Sequence, residues 1–194
     1  MRFIGVYNYT VILTYLSLCL AVLGLGEVTK GNDTAAVVCL VLAGLCDAFD
    51  GKVARSKKDR TEDEKAFGIQ LDSLCDVISF GIYPAMLCYF MGADSLLGIV
   101  CVFFYIFCAV TRLGCFNVLE AKRQQTESGG NKVYRGLPVT TAAIVFPIVY
   151  VCKFILSSKM FVAMLHLYLL VVGFFFILDF KFKKPALKPA RLTF

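Results

Sequence analysis

The sequence predicts an all-α fold, that of a polytopic membrane protein with six transmembrane helices, and three observations lead to this class. First, 59% of the 194 residues are hydrophobic and 18% are charged, whereas soluble domains carry about 25% charged residues. Second, the mean hydropathy is +0.75. Third, apolar stretches close to the bilayer-spanning length of about 20 residues follow one another along the chain. We therefore expect a single membrane domain over residues 1–194.

Polar or turn-forming segments separate the predicted spans. The charged stretch Ser56–Lys65 divides the second span from the third, and we interpret it as a solvated loop or helix end at the membrane surface. The stretch Glu120–Arg135 contains a glycine pair and is typical of a flexible loop. Pro185 and Pro189 stop the last helix. The six spans lie near residues 9–26, 34–49, 67–91, 95–119, 137–156 and 160–180.

The basic residues predict the orientation, because Lys and Arg accumulate on the cytoplasmic side of short loops. With both termini cytoplasmic, all but three of the 20 lysines and arginines fall on that side, the exceptions being Lys30, Lys153 and Lys159. We therefore predict a multi-pass protein of the cell membrane. The net charge of +6 suits contact with anionic lipid headgroups in the bilayer, and we expect no nucleic-acid partner.

The cysteines and the single histidine do not indicate a zinc or disulfide framework. All nine cysteines fall within apolar segments and form no CxxC pair, whereas such a framework needs clustered spacing. We interpret them as small buried apolar side chains. His166 stands in the last apolar span, where we expect a helix contact or a core position.

Four aspartates interrupt the apolar pattern of the second and third spans. On the helix of the second span, the spacing i, i+3, i+4, i+7 gives one stripe of two acids and two small residues: Asp47, Asp50, Gly51 and Ala54. On the next helix, the spacing i, i+4, i+8 gives a stripe of Gly68, Asp72 and Asp76. A carboxylate at the bilayer centre costs about 2.5–3.5 kcal/mol, which indicates that a cation compensates the cluster. We expect the two stripes to face each other and to form a cup of four carboxylates, which we call the acidic cup.

The small residues of these stripes allow two interpretations. Small side chains let a bulky ligand approach the backbone closely. They also let membrane helices pack tightly, which is the alternative for Gly51 and Ala54.

Oxygen ligands without a nearby histidine favour a hard cation, Mg²⁺, Mn²⁺ or Ca²⁺, over zinc. Because Mg²⁺ usually binds through a few carboxylates and substrate phosphates, the cup predicts phosphate chemistry. Arg55 would bind a pair of phosphate oxygens. Alternatively, Arg55 is one more basic residue that marks the cytoplasmic side of the membrane. If the other three aspartates hold the metal, Asp76 can accept a proton from an attacking hydroxyl. The spacing equally allows Asp76 as a fourth metal ligand.

These positions together form the unbroken motif DxxDGxxARx(n)GxxxDxxxD, which resembles the signature of the CDP-alcohol phosphatidyltransferases. The resemblance covers essentially the whole chain. It implies a six-helix fold, a homodimer, and transfer of a phosphatidyl group from CDP-diacylglycerol to a hydroxyl with release of CMP. It also implies that the first three aspartates bind the divalent metal and that Asp76 is the base. The residues that would lie against the nucleotide or its diphosphate are Asp47, Gly51, Ala54, Arg55 and Gly68.

Three further segments, LDSLCDVISFGIYPA, TRLGCFN and RGLPVTTAA, resemble the bacterial and archaeal members of this family that make phosphatidylserine. The resemblance therefore implies L-serine as the acceptor. Serine brings a carboxylate that needs a cation, and Arg112 and Arg135 lie at the predicted cytoplasmic ends of their spans. Position alone equally fits Arg112 as a positive-inside residue. Ser79, seven residues from Asp72, and Asn117 are candidate polar partners.

The N-terminal segment YNYT departs from the PNxxT-like stretch of many family members, because no proline precedes Asn8. The resemblance implies that Asn8 and Thr10 hold the cytidine. An ordinary cap at the helix start is the alternative.

Other functions stay open on sequence alone. Within the family, the acceptor could be glycerol 3-phosphate or an inositol phosphate, which would need an additional basic pocket. Intramembrane prenyltransferases also pair aspartate motifs with Mg²⁺, but they lack the DGxxAR core. A divalent-cation transporter would explain intramembrane acids, although the acids here cluster at one end of the spans.

Overall fold

The computed structural model describes residues 5–57, 59–126, 133–179 and 181–183, without the side chains of residues 55, 122–126, 133–135 and 181–183. Over these ranges the fold is helical, as predicted, apart from a short antiparallel pair of strands, β1 (Val133–Arg135) and β2 (Lys181–Lys183). The helices are α1 (Ile12–Thr29), α2 (Asp33–Ser56), α3 (Glu62–Asp76), α4 (Tyr83–Phe90), α5 (Leu96–Thr126), α6 (Ala142–Val151) and α7 (Ser158–Ile177).

Five helical segments are long and apolar enough to cross a membrane, which agrees with a multi-pass membrane protein. They are Tyr9–Thr29, Asp33–Ala54, Glu62–Phe90, Leu96–Ala121 and Ser158–Ile177. The predicted fifth span is present as a shorter apolar helix, Val139–Phe154. Three-residue 3₁₀ turns flank its ten-residue α-helical part. At about 1.5 Å per α-helical and 2.0 Å per 3₁₀ residue, the segment reaches roughly 27 Å, close to the bilayer core.

Large apolar side chains on the outer faces of the helices are exposed, as expected of surfaces that contact lipid. Examples are Phe103, Ile144 and Phe154, with exposed fractions of 70%, 67% and 73%. Two cysteines, Cys19 and Cys115, are also exposed. The prediction that all nine cysteines are buried is therefore wrong for these two, because each lies on an outward helix face.

The interior is built from two helix pairs, α1 with α2 and α5 with α7, and α3 contacts both α1 and α5. Where α1 passes Tyr83, a Cβ atom at Gly24 would lie 1.6 Å from the tyrosine oxygen, so the missing side chain permits the close approach. The Tyr83 hydroxyl donates to the carbonyl of Ala36 on α2. This hydrogen bond ties α4 to the helix pair that bears the first acidic stripe.

A capping box fixes the start of α3. The Thr61 hydroxyl accepts a hydrogen bond from the Glu64 amide at 3.2 Å, and the Glu64 carboxylate accepts one from the Thr61 amide at 3.2 Å. Lys57 forms an ion pair with Glu64 at 2.9 Å. The helix therefore begins before the predicted position of residue 67, and the segment between α2 and α3 is held against it.

The two segments predicted as loops or helix ends both contain helix termini. Helix α5 continues to Thr126 because the sequence beyond Glu120 is rich in strong helix formers. Residues 127–132, with the glycine pair, lie outside the described residues, as do Pro185 and Pro189. The stretch Ser56–Lys65 contains the end of α2 and the start of α3, which agrees with the predicted helix end. Arg60 and Lys65 within it also line a cavity.

A π-helical segment, Val77–Ile82, joins α3 to α4 directly after Asp76. The buried Tyr105 hydroxyl donates to the carbonyl of Phe80 within this segment at 3.1 Å. Because a π turn closes its hydrogen bonds over five residues instead of four, it changes the rotation of every side chain that follows Asp76.

Candidate metal and nucleotide site

The acidic stripes of α2 and α3 face each other, as predicted. One carboxylate oxygen from each of Asp47, Asp50 and Asp72 lies within 4.8 Å of the others, and all three side chains are partly buried. Ligands on opposite sides of one Mg²⁺ or Ca²⁺ lie about 4–5 Å apart, twice the metal–oxygen distance. The spacing of the three aspartates therefore fits a bound metal ion.

The chemistry of the cluster fits a cation as well as its spacing does. Oδ1 of Asp72 is buried and has no hydrogen-bond partner. The carboxyl groups of all four aspartates line one cavity. Crowded carboxylates repel one another in a partly dry site, so a divalent cation would stabilise this arrangement.

Thr14, on α1, holds one of the three acids in place. Its hydroxyl donates a hydrogen bond to Oδ2 of Asp50 at 3.2 Å, and its side chain is buried. This residue is not among those predicted from the sequence. Its spacing of i+4 from Thr10 places both residues on one helix face, which is a signal that the sequence does contain.

Asp76 lies at the last position of α3, outside the group of three. It lines a cavity of about 260 Å³ that includes all four aspartates and Arg112. The other lining residues are Leu113, Phe116, Pro138, Val139 and Thr140. We refer to this space as the acceptor cavity.

A second cavity, of about 320 Å³, is also lined by Asp50 and Asp72. It includes the three small residues of the motif and four polar side chains that the sequence analysis did not assign. We refer to it as the nucleotide cavity, and it is lined by Thr10, Val11, Thr14, Asp50, Gly51, Ala54, Arg60, Lys65, Gly68, Ile69, Asp72 and Glu120. Its volume falls within the roughly 300–1,000 Å³ of small-molecule sites.

Asn8 and Thr10 take different positions. Thr10 is buried and lines the nucleotide cavity. The Asn8 side chain accepts a hydrogen bond from the Thr10 amide at 3.1 Å and donates one to Glu64 at 3.5 Å. Asn8 therefore acts as the helix cap that was the alternative prediction, and it is not among the residues that line the cavity.

The candidate serine-binding residues are not all brought together. Arg112 lines the acceptor cavity, and its Nε donates to the carbonyl of Leu137 at 3.3 Å. Ser79 is fully buried and hydrogen-bonded to Ser17 at 3.4 Å. The π turn separates Ser79 from the regular helix that carries Asp72, and Ser79 is not among the residues that line the acceptor cavity. Its predicted contact with serine stays a prediction.

Asn117 is also directed elsewhere. Its side chain accepts a hydrogen bond from Ser73 at 2.7 Å and donates one to Gln70 at 3.2 Å. It therefore joins α5 to α3 and does not line either cavity. The side chains of Arg55 and Arg135 lie outside the described part of the chain, so their predicted roles stay predictions.

Arg112 also borders a larger, mainly apolar groove of about 500 Å³ between α5 and α7. Val118, Leu119 and Phe176 are among its lining residues. The same guanidinium thus stands between an apolar groove and the acidic acceptor cavity.

Comparison with known proteins identifies the class. The family model described as CDP-alcohol phosphatidyltransferase matches residues 7–178, and the chain therefore belongs to this family. It is 37% identical over 141 residues to the archaetidylserine synthase of Methanothermobacter thermautotrophicus, covering 72% of this chain and 53% of that protein. It is 35% identical over 113 residues to the CDP-diacylglycerol–serine O-phosphatidyltransferase of Saccharomyces cerevisiae, covering 57% and 40% of the two chains.

A Bacillus subtilis protein with the same name as the yeast relative is 36% identical over 93 residues, covering 47% of this chain and 50% of that protein. The matched regions thus span about half the length of these relatives. No solved structure matches the chain.

Proposed function

We propose that this protein is a divalent-metal-dependent enzyme that transfers the phosphatidyl group of CDP-diacylglycerol to the hydroxyl of L-serine, giving phosphatidylserine and CMP. It acts in the cell membrane as a multi-pass homodimer, with both termini and the acidic cup on the cytoplasmic side. Serine occurs in the names of the relatives from all three organisms compared above.

The observation that carries the proposal is that two distinct cavities share Asp50 and Asp72. Both residues line the nucleotide cavity and the acceptor cavity. A diphosphate held between them would have its nucleoside on one side and the attacking alcohol on the other. This is the arrangement that transfer from a CDP-linked lipid requires.

Asp47, Asp50 and Asp72 are the residues that would hold Mg²⁺ or Mn²⁺, with Ca²⁺ as a possible occupant. When bound, the divalent cation neutralises diphosphate charge and stabilises the departing CMP. Thr14 orients Asp50 through its hydrogen bond. Gly51, Ala54 and Gly68 leave room for the nucleotide close to the two helices, and Arg55 is proposed to contact the diphosphate.

Asp76 and Arg112 are proposed to act on serine in the acceptor cavity. The guanidinium of Arg112 binds the serine carboxylate and positions the hydroxyl beside Asp76. Asp76 takes the hydroxyl proton as the serine oxygen bonds to the phosphorus that bears diacylglycerol. The bond from that phosphorus to the bridging oxygen breaks, and CMP leaves with the electron pair.

The groove between α5 and α7 is proposed to hold part of the lipid. Its lining is apolar, and it meets the acceptor cavity at Arg112. An acyl chain placed there can leave sideways into the bilayer while the phosphate stays at the cup.

The experiment is CMP release by the purified full chain, reconstituted with CDP-diacylglycerol and Mn²⁺ or Mg²⁺, with serine, glycerol 3-phosphate or inositol phosphate as acceptor. We expect release that requires both serine and metal, with phosphatidylserine as the product. Release without serine, or a preference for another acceptor, would reassign the acceptor within the family. Cation uptake into vesicles without CMP release would favour the transporter alternative, and light scattering in detergent measures the oligomeric state.

A further inference from the structure

Arg60 lies outside the family motif, yet its side chain enters the nucleotide cavity. It precedes the capping box of α3 and lines the same cavity as Asp50, Asp72 and the small residues of the motif. Nη1 donates to the carbonyl of Ala54 at 3.3 Å, and Nη2 donates to the carbonyl of Glu64 at 3.1 Å. The guanidinium thus joins the end of α2 to the first turn of α3.

These contacts fix the guanidinium without neutralising it. The guanidinium donates two hydrogen bonds, both to carbonyl oxygens, and its buried Nε has no hydrogen-bond partner. Among the described cations of this segment, Lys57 pairs with Glu64 and Lys65 pairs with Glu62. An arginine has five N–H donors, so Arg60 keeps donors for a ligand.

Gly68 makes this position of the guanidinium possible. A Cβ atom at Gly68 would lie 2.6 Å from Nη2 of Arg60. The glycine of the motif therefore also leaves room for a protein side chain in this molecule.

Arg60 contacts α2 and α3 about one helical turn from the proposed metal ligands. Ala54 follows Asp50 by four residues, and Gly68 precedes Asp72 by four residues, a distance of about 6 Å along each helix at 1.5 Å per residue. With the diphosphate at the aspartates, the group next to Arg60 is the nucleoside. The polar side chains of Thr10, Lys65 and Glu120 in this cavity also suit a nucleoside better than an acyl chain.

We propose, on the basis of the proposed function, that Arg60 recognises the cytosine base of the CDP-linked substrate. Cytosine presents two neighbouring acceptors, O2 and N3, which match two donors of a fixed guanidinium. Uracil carries a hydrogen on N3 and offers no such acceptor pair. Arg60 is thus a specificity-determining residue for cytidine over uridine nucleotides.

The test measures competition by CMP, UMP and cytidine against CDP-diacylglycerol, with serine and Mn²⁺, for the full-length wild type and for Arg60→Met and Arg60→Lys. For Arg60→Met we expect the inhibition constants of CMP and cytidine to rise together by about tenfold or more, with little change for UMP. Arg60→Lys should keep the charge but lose most of the preference for CMP over UMP. Lys57→Met removes a cation from the same segment but not from the cavity, and it should keep the preference.

Direct titration of CMP and UMP into the purified protein with Mg²⁺ separates this inference from the proposed function. If the wild type binds CMP selectively and Arg60→Met keeps that selectivity, the inference is wrong and the proposed function stands. If Arg60→Met weakens CMP and UMP equally, or leaves cytidine unaffected, Arg60 contacts the phosphate and the base assignment is wrong. A wild type that binds no CMP would overturn both.

Discussion

The Thr14 hydroxyl donates a hydrogen bond to Oδ2 of Asp50 at 3.2 Å, linking α1 to the acidic stripe of α2. Asp50 borders both cavities, so its orientation affects both the nucleotide side and the acceptor side. A threonine outside the motif thus supports one of the proposed metal ligands.

Thr14→Val removes this hydrogen bond while keeping the shape of the side chain. We expect the metal concentration needed for half-maximal CMP release to rise about tenfold, because a hydrogen bond to a charged group contributes about 1.5–3 kcal/mol. Thr14→Ser retains the hydroxyl and should stay close to the wild type. An unchanged metal requirement in Thr14→Val would show that Asp50 is held in place without Thr14.

Asp76→Asn tests the division of work among the four acids. We expect the rate of transfer to fall by about 10²–10⁴-fold, the usual contribution of a general base, while Mn²⁺ binding measured by electron paramagnetic resonance persists. Asp72→Asn should lower both the rate of transfer and the affinity for Mn²⁺, because Asp72 belongs to the group of three carboxylates. Full activity in Asp76→Asn would exclude it as the base.

Five of the six spans follow from the sequence because they depend on the length of the apolar segments. The two acidic stripes, which face each other on α2 and α3, follow from helical spacing. Helical spacing no longer applies where the backbone leaves the regular α-helix. The π turn after Asp76 places Ser79 in the core. We find no local pattern in residues 77–82 that predicts this turn. The sequence also does not distinguish Arg60 from the charged residues next to it, because the position of its guanidinium depends on carbonyl groups of two different helices.

Gly68→Ala places a methyl group where Nη2 of Arg60 lies, 2.6 Å away. Since Arg60 is held by two helices, we expect its displacement to raise the KM for CDP-diacylglycerol about tenfold or more, with a smaller effect on the KM for serine. Gly26→Ala is the matched control, because a Cβ atom there meets nothing within 4 Å. Equal kinetics for the two variants would contradict the close packing at Gly68.

Thr61→Ala removes one half of the capping box at the start of α3. We expect a loss of stability of about 0.5–2 kcal/mol, measured as a lower midpoint of thermal unfolding in detergent. Thr61→Ser should restore most of it, since serine can accept the same hydrogen bond. A destabilised Thr61→Ser would show that the threonine methyl group, not the cap, stabilises this helix.

Arg112→Gln and Ser79→Ala distinguish the two candidate serine contacts. Arg112 lines the acceptor cavity, whereas Ser79 is fully buried against Ser17. If Arg112 pairs with the serine carboxylate, its loss removes a charge-assisted hydrogen bond, and the KM for serine should rise about tenfold or more with little change for CDP-diacylglycerol. Ser79→Ala should leave the KM for serine unchanged. The reverse result, with the effect confined to Ser79→Ala, would place the serine site beyond the π turn and away from Arg112.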